Sequence, residues 1–110
     1  FIVEIMNSWK SNLKKGLFKS LKTRDIKQIA NQLRHGAKNA FRYGDKDLAI
    51  QLISFCMEFS EGTNLYILAF KDYHYYKTGE RLTNQTPKVK APELHQELPW
   101  STLHDFITQL

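Results

Sequence analysis

The chain has 110 residues, 42% of them hydrophobic and 25% charged, a composition that fits one ordinary globular domain and excludes a disordered or collagen-like chain. Sixteen Lys and Arg stand against eleven Asp and Glu, for a net charge of +5. The single cysteine, Cys56, excludes a disulfide framework and fits a reducing, cytoplasmic setting.

No window approaches the roughly 18 apolar residues of a membrane span, and Phe1-Ile2-Val3-Glu4-Ile5 is too short, and carries an acid, for a signal peptide. Opening on Phe1 with Met6 close behind, the chain reads as a piece of a longer gene product or as one begun at an unusual codon. The charge is unevenly spread. Phe1 to Gly44 carries ten Lys or Arg against Glu4 and Asp25, whereas Asp45 to Leu110 carries six against nine acids. A basic half joined to a mildly acidic one points to a polyanion on one side and a protein neighbour on the other.

Apolar residues recur at spacings of three and four, and no proline precedes Pro87, so the chain reads as helical throughout. Trp9, Leu13, Leu17 and Leu21 predict a first helix from about Ser8 to Lys22, with Gly16 as its weak point. Thr23 is a plausible N-cap for a second helix reaching about Tyr43, whose apolar face is Ile26, Ile29, Ala30, Leu33, Ala37, Ala40 and Phe41. Gly44 then stops it, and Asp45 or Asp47 caps a third helix through about Phe59, with Leu48, Ala49, Leu52, Ile53, Cys56 and Phe59 facing inward.

Gly62-Thr63-Asn64 breaks that helix, and Leu65 to Lys77 predicts a fourth, although the content of Tyr66-Ile67-Leu68-Ala69-Phe70 leaves a strand as the alternative. From Thr78 to Pro99 the Gly, Thr, Asn, Gln and Pro content predicts an extended surface loop. Pro99 at a first-turn position opens a short docking helix to Leu110, with Trp100, Leu103, Phe106 and Ile107 turned inward. The expected fold is all-α, a compact bundle of four to five antiparallel helices forming one domain, with Leu33, Ala37, Phe41, Leu48, Leu52, Ile53, Cys56 and Leu68 in its core.

Signatures of common chemistry are missing: there is no phosphate-binding P-loop, no dinucleotide-binding glycine motif, no zinc-protease motif and no cysteine pair. His35, His74, His95 and His104 lie on different elements without ligand spacing and read as surface or half-buried histidines. His104 and Asp105, being adjacent on a helix, are expected to point different ways. No catalytic residue, cofactor or metal is therefore expected, and Cys56 reads as a small apolar core residue.

The informative pattern is positive charge. At 100° per residue, Arg24, Lys27, Arg34, Lys38 and Arg42 fall in a sector roughly 80° wide, about 120° from the centre of the apolar face. On the first helix Lys15, Lys19 and Lys22 repeat at i, i+4 and i+7. Like charges at this spacing repel by a few tenths of a kcal/mol per pair, and almost no acids sit nearby to offset it. Mixed signs would solvate the helices equally well, so the row favours an external polyanion, nucleic acid first. A protein partner or an uncommitted solvated face comes next, and an acidic membrane surface last, since few apolar residues remain to insert. No sequence-reading motif accompanies the stripe. Phe18, beside the lysines, reads as an exposed aromatic for a neighbouring subunit or a base, and Tyr66, Tyr73, Tyr75 and Tyr76 read as core or interface residues more than as stacking platforms.

Two resemblances bear on this. Ala37 to Ile50, with Phe41-Arg42-Tyr43-Gly44-Asp45 and Ala49-Ile50, resembles the inter-helix turn of a tetratricopeptide repeat, and Tyr75-Tyr76-Lys77-Thr78-Gly79-Glu80 echoes it. This implies antiparallel helical hairpins and, as the alternative function, a protein-interaction module with its groove between the second and third helices. In size, helical content and charge layout the whole chain resembles the small subunit of CRISPR effector complexes of the Cascade type, and an opening of Phe1 to Met6 suits a start inside a larger gene. That resemblance implies a non-catalytic subunit of a ribonucleoprotein complex, packed beside other subunits or further copies of itself. Lys15, Lys19, Lys22, Arg24, Lys27, Arg34, Lys38 and Arg42 would contact the backbone of the guide-target duplex or the displaced DNA strand.

Overall fold

A computed structural model describes residues 2–82 and 98–110, with side chains of the first helix described from residue 8 onward. The described residues fold as five helices with no strand: α1 (Ile2–Thr23), α2 (Ile26–Arg42), α3 (Lys46–Ser60), α4 (Asn64–Thr78) and α5 (Trp100–Thr108). The Tyr66 to Phe70 segment is helical, inside α4. The expected loop from Thr78 to Pro99 lies mostly outside the described residues.

The helix boundaries follow local chemistry. Asp25, not Thr23, caps α2, its carboxylate accepting from the Gln28 N–H at 3.2 Å. The chain turns there through Arg24 at φ 52, and Thr23 still belongs to α1, its hydroxyl donating to the Ser20 carbonyl. Asp45 caps α3 in the same manner, accepting from the Leu48 N–H, while Gly44 at φ 87 supplies the left-handed turn that an L side chain resists. Pro99 stands at the N-cap of α5, one position before the expected first turn.

Packing contacts give the directions. Cys56, late in α3, donates its thiol to the carbonyl of Ala30, early in α2, at 3.2 Å, so the two helices are antiparallel. Phe41 stacks on Tyr76 with ring centroids 4.6 Å apart, and Arg34 reaches Asp72, so α4 runs parallel to α2 on the far flank of α3. Lys14 donates to the Thr108 carbonyl and Phe18 meets His104 edge-on, which sets α5 antiparallel to α1. The other side of α5 lies on α3, through Phe106 against Phe55 and Trp100 against Phe59. Two layers result, with α1, α2 and α4 in one and α5 and α3 in the other.

Between the layers sit Leu17, Ile29, Leu33, Leu52, Ile53, Leu103 and Ile107, all without solvent exposure. Full burial of each such side chain stabilises the fold by roughly 1.5–3 kcal/mol. Phe41, Trp100 and Phe106, expected inside, are only half-buried, and two further expected positions are exposed. Leu68 is 44% exposed, because among the described helices α4 packs chiefly on α2 and α3 and Leu68 lies off that contact, and Ile26, in the first turn of α2, is 42% exposed. α1 runs unbroken through Gly16, which lies where the helices approach, and a Cβ there would sit 3.0 Å from Gln32 Nε2. Across the same seam a Cβ on Gly36 would sit 2.5 Å from Leu13 Cδ2.

Candidate nucleic-acid interface

The α1–α2 seam determines which side chains reach solvent together. α1 spends Leu13, Gly16 and Ser20 on α2, with the buried Ser20 hydroxyl donating to Gln32 Oε1 at 3.0 Å, and spends Lys14 and Phe18 on α5. What remains of its circumference carries Lys15, Lys19 and Lys22, all exposed. α2 turns Gln32 and Gly36 to α1, Ala30 to α3, and Arg34 and Phe41 to α4. Its free side carries Lys27, Lys38 and Arg42, again exposed, with His35 and the half-buried Asn31 between them. Because α5 and α3 both cover the α1–α2 pair from one side, these two free sides open together on the other.

Six of the eight cations singled out from the sequence therefore share one face, and two are engaged within the fold. Arg34 Nε donates to Asp72 Oδ2 at 2.9 Å, and the two side chains are only 24% and 19% exposed. Its guanidinium clasps α4 to α2. Arg24 lays its guanidinium 4.7 Å from the ring centroid of Trp100, tying the α1–α2 elbow to the start of α5 while remaining exposed. Sequence reasoning missed both partners, since Asp72 lies 38 positions beyond Arg34 and nothing local marks the pair.

From Ser8 to Arg42, the stretch of α1 and α2 whose side chains are described, Asp25 is the only acid, and Glu4 lies further back in α1. It stands at the helix cap. No described carboxylate pairs with Lys15, Lys19, Lys22, Lys27, Lys38 or Arg42. Among the described residues the face therefore presents unpaired charge, fixed to two helices, and can attract phosphates by Coulomb forces without any covalent chemistry.

The other chemistry-bearing residues lie elsewhere. Cys56 is fully buried, and burial pushes its thiol up to about 12, which removes it as a nucleophile near neutral pH. Phe18, expected to be exposed, is half-buried against His104 with ring centroids 5.5 Å apart. His104 Nδ1 and Asp105 Oδ1, expected to diverge, come within 3.7 Å at the surface of α5. His35 and His74 lie on α2 and α4, and His95 is outside the described residues. Among the described residues no group of three or more His, Cys, Asp or Glu side chains is placed to hold a metal ion, and no helix is long and apolar enough to cross a membrane.

Compared with protein-family models, curated proteins and solved structures, the chain finds no match, so the functional argument rests on the geometry of this face.

Proposed function

We propose that the protein is a non-catalytic, sequence-independent nucleic-acid-binding subunit of a cytoplasmic ribonucleoprotein complex, and that the exposed side of the α1–α2 pair is its phosphate-binding face. The observation that carries this reading is the shared exposure of six cations on one side of two packed helices, with the capping Asp25 as the one described acid beside them. Side chains of this kind meet backbone phosphates, which position a protein on nucleic acid without reading its sequence. The resemblance to the CRISPR small subunit belongs to the same proposal and adds a partner set: other subunits and a guide-target duplex or displaced strand.

The helical-repeat alternative is weaker on structural grounds. Its groove borders α2 and α3, and there Asp72, Tyr75 and Tyr76 of α4 already lie against Arg34 and Phe41.

The test is a binding titration on the variant Lys19→Glu/Lys27→Glu/Lys38→Glu/Arg42→Glu at several salt concentrations, with thermal melting as the folding control. Affinity should fall at least 100-fold for every probe sequence alike, and each lost phosphate contact should flatten the logarithmic salt slope by about 0.7–0.9. A folded variant that binds as the parent does, with the same slope, would overturn the proposal. Co-purification with a guide RNA and CRISPR subunits tests the finer assignment.

A further inference from the structure

We infer that the basic face takes double-stranded nucleic acid in preference to a single strand, aligned with the α1–α2 seam and touched along the backbones on one side of the duplex. The inference rests on the proposed nucleic-acid reading and narrows its substrate class.

Two observations carry it. The first is that, among the described residues from Trp9 onward, no Phe, Tyr or Trp is exposed, and the ring this face does offer is the small imidazole of His35. Each ring nearest the seam is already committed: Trp9 stacks on Tyr43 at 6.3 Å, Phe18 meets His104, and Phe41 stacks on Tyr76. Single-strand binders combine cations with aromatic platforms, and stacking supplies roughly 1–3 kcal/mol per base. This face offers the cations with no platform larger than the His35 imidazole. A single strand must then be ordered from a flexible chain with no stacking to offset the entropy, whereas a duplex brings its phosphates already ordered.

The second observation is the spacing. Leu13 lies level with Gly36, and Gly16 and Ser20 with Gln32, so Lys22 stands abreast of Lys27 and Lys15 about level with Arg34. From that end the cations follow one another as Lys19, Lys15, Lys38 and Arg42, in axial steps of about 4–6 Å at 1.5 Å per residue. The path is about 22 Å long and crosses from α1 to α2 as it goes. At about 3.4 Å of axial advance per nucleotide this length spans six or seven base pairs, over which the two winding backbones each bring phosphates to the near side of the duplex.

The experiment is a fluorescence-anisotropy titration of the full chain against 20-base-pair RNA and DNA duplexes and 40-nucleotide single strands of unpaired pyrimidines, matched in phosphate count. Both duplexes should bind at least fivefold tighter than the single strands, with a salt slope near 5 for duplex DNA if all six cations engage. The RNA and DNA arms show whether helix geometry matters as well. Single strands binding as tightly as the duplexes, with the four-residue charge reversal abolishing both, would overturn the duplex preference and leave the nucleic-acid reading standing. Absence of binding to all probes at low salt would overturn both.

Discussion

The outer side of the α1–α2 pair and the outer side of the α3–α5 pair are both strips of solvent-facing helix, charged on different plans. The first displays Lys15, Lys19, Lys22, Lys27, Lys38 and Arg42, whereas the second sets Asp47, Glu58 and Asp105 among Lys46, Gln51, Ser101 and Gln109. Both plans keep a helix soluble. Only the first carries self-repulsion of a few tenths of a kcal/mol per neighbouring pair, and that cost has a use only if an external anion removes it. Within α2 the same contrast recurs over a single turn: Arg34 is clasped by Asp72, and Lys38, four residues on, is exposed.

The largest expected effect strikes the seam on which the comparison depends. Gly36→Val places a branched side chain where even a Cβ would meet Leu13 at 2.5 Å, and should destabilise the protein by about 2 kcal/mol in chemical denaturation. Combined with Leu13→Ala, the loss should be less than the sum of the two single losses, the sign of a shared contact. Additive losses would place the strain elsewhere.

Within α2 the comparison sharpens to one pair of variants. Arg34→Gln leaves the half-buried Asp72 without its cation and should cost about 1 kcal/mol of stability while leaving the salt slope of binding unchanged. Lys38→Gln should do the reverse, with stability within about 0.5 kcal/mol of the parent and a slope shallower by about 0.7–0.9. Equal effects of the two on the slope would mean that the clasp opens when nucleic acid binds.

The smallest effect reports on the inner side of α2. Burial pushes the Cys56 thiol from 9.0 and the Tyr76 hydroxyl from 10.0, each to about 12. Both groups are held neutral by the fold, so their contribution is complete below pH 9 and is lost as pH rises from 9 toward 12. Denaturation midpoints measured at intervals from pH 8 upward should decline in that window. Cys56→Ala should flatten the first part of the decline, since Tyr76 contributes only above about pH 10.

Much of the fold was legible because it is periodic. The i, i+3, i+4 spacing in α2 identified Ile29, Ala30, Leu33, Ala37 and Ala40, all buried, and Gly44-Asp45 marked the turn into α3. Periodicity sorts side chains around one helix and is silent on which neighbour covers each sector. For that reason periodicity places Leu68 inside though it is exposed on α4, Phe18 outside though α5 covers it, and Arg34 with residues that stay in solvent though Asp72 engages it. The lysine rows could be read from each helix separately. Their common face could not, because it depends on α5 and α3 lying together on the opposite side.

The position of α5 also orders assembly in time. Successive helices from α1 to α4 meet across short turns, whereas α5 is fastened by contacts as remote as Lys14 to Thr108, 94 residues apart. Near-neighbour contacts form sooner than those that must first close a long stretch of chain. The hairpins should therefore gather first and α5 settle last, sealing Leu103 and Ile107 over a nearly finished interior. The same sequence run backwards makes α5 the earliest part to lift away, and its amides should exchange with deuterium through openings of lower free energy than those that expose α2.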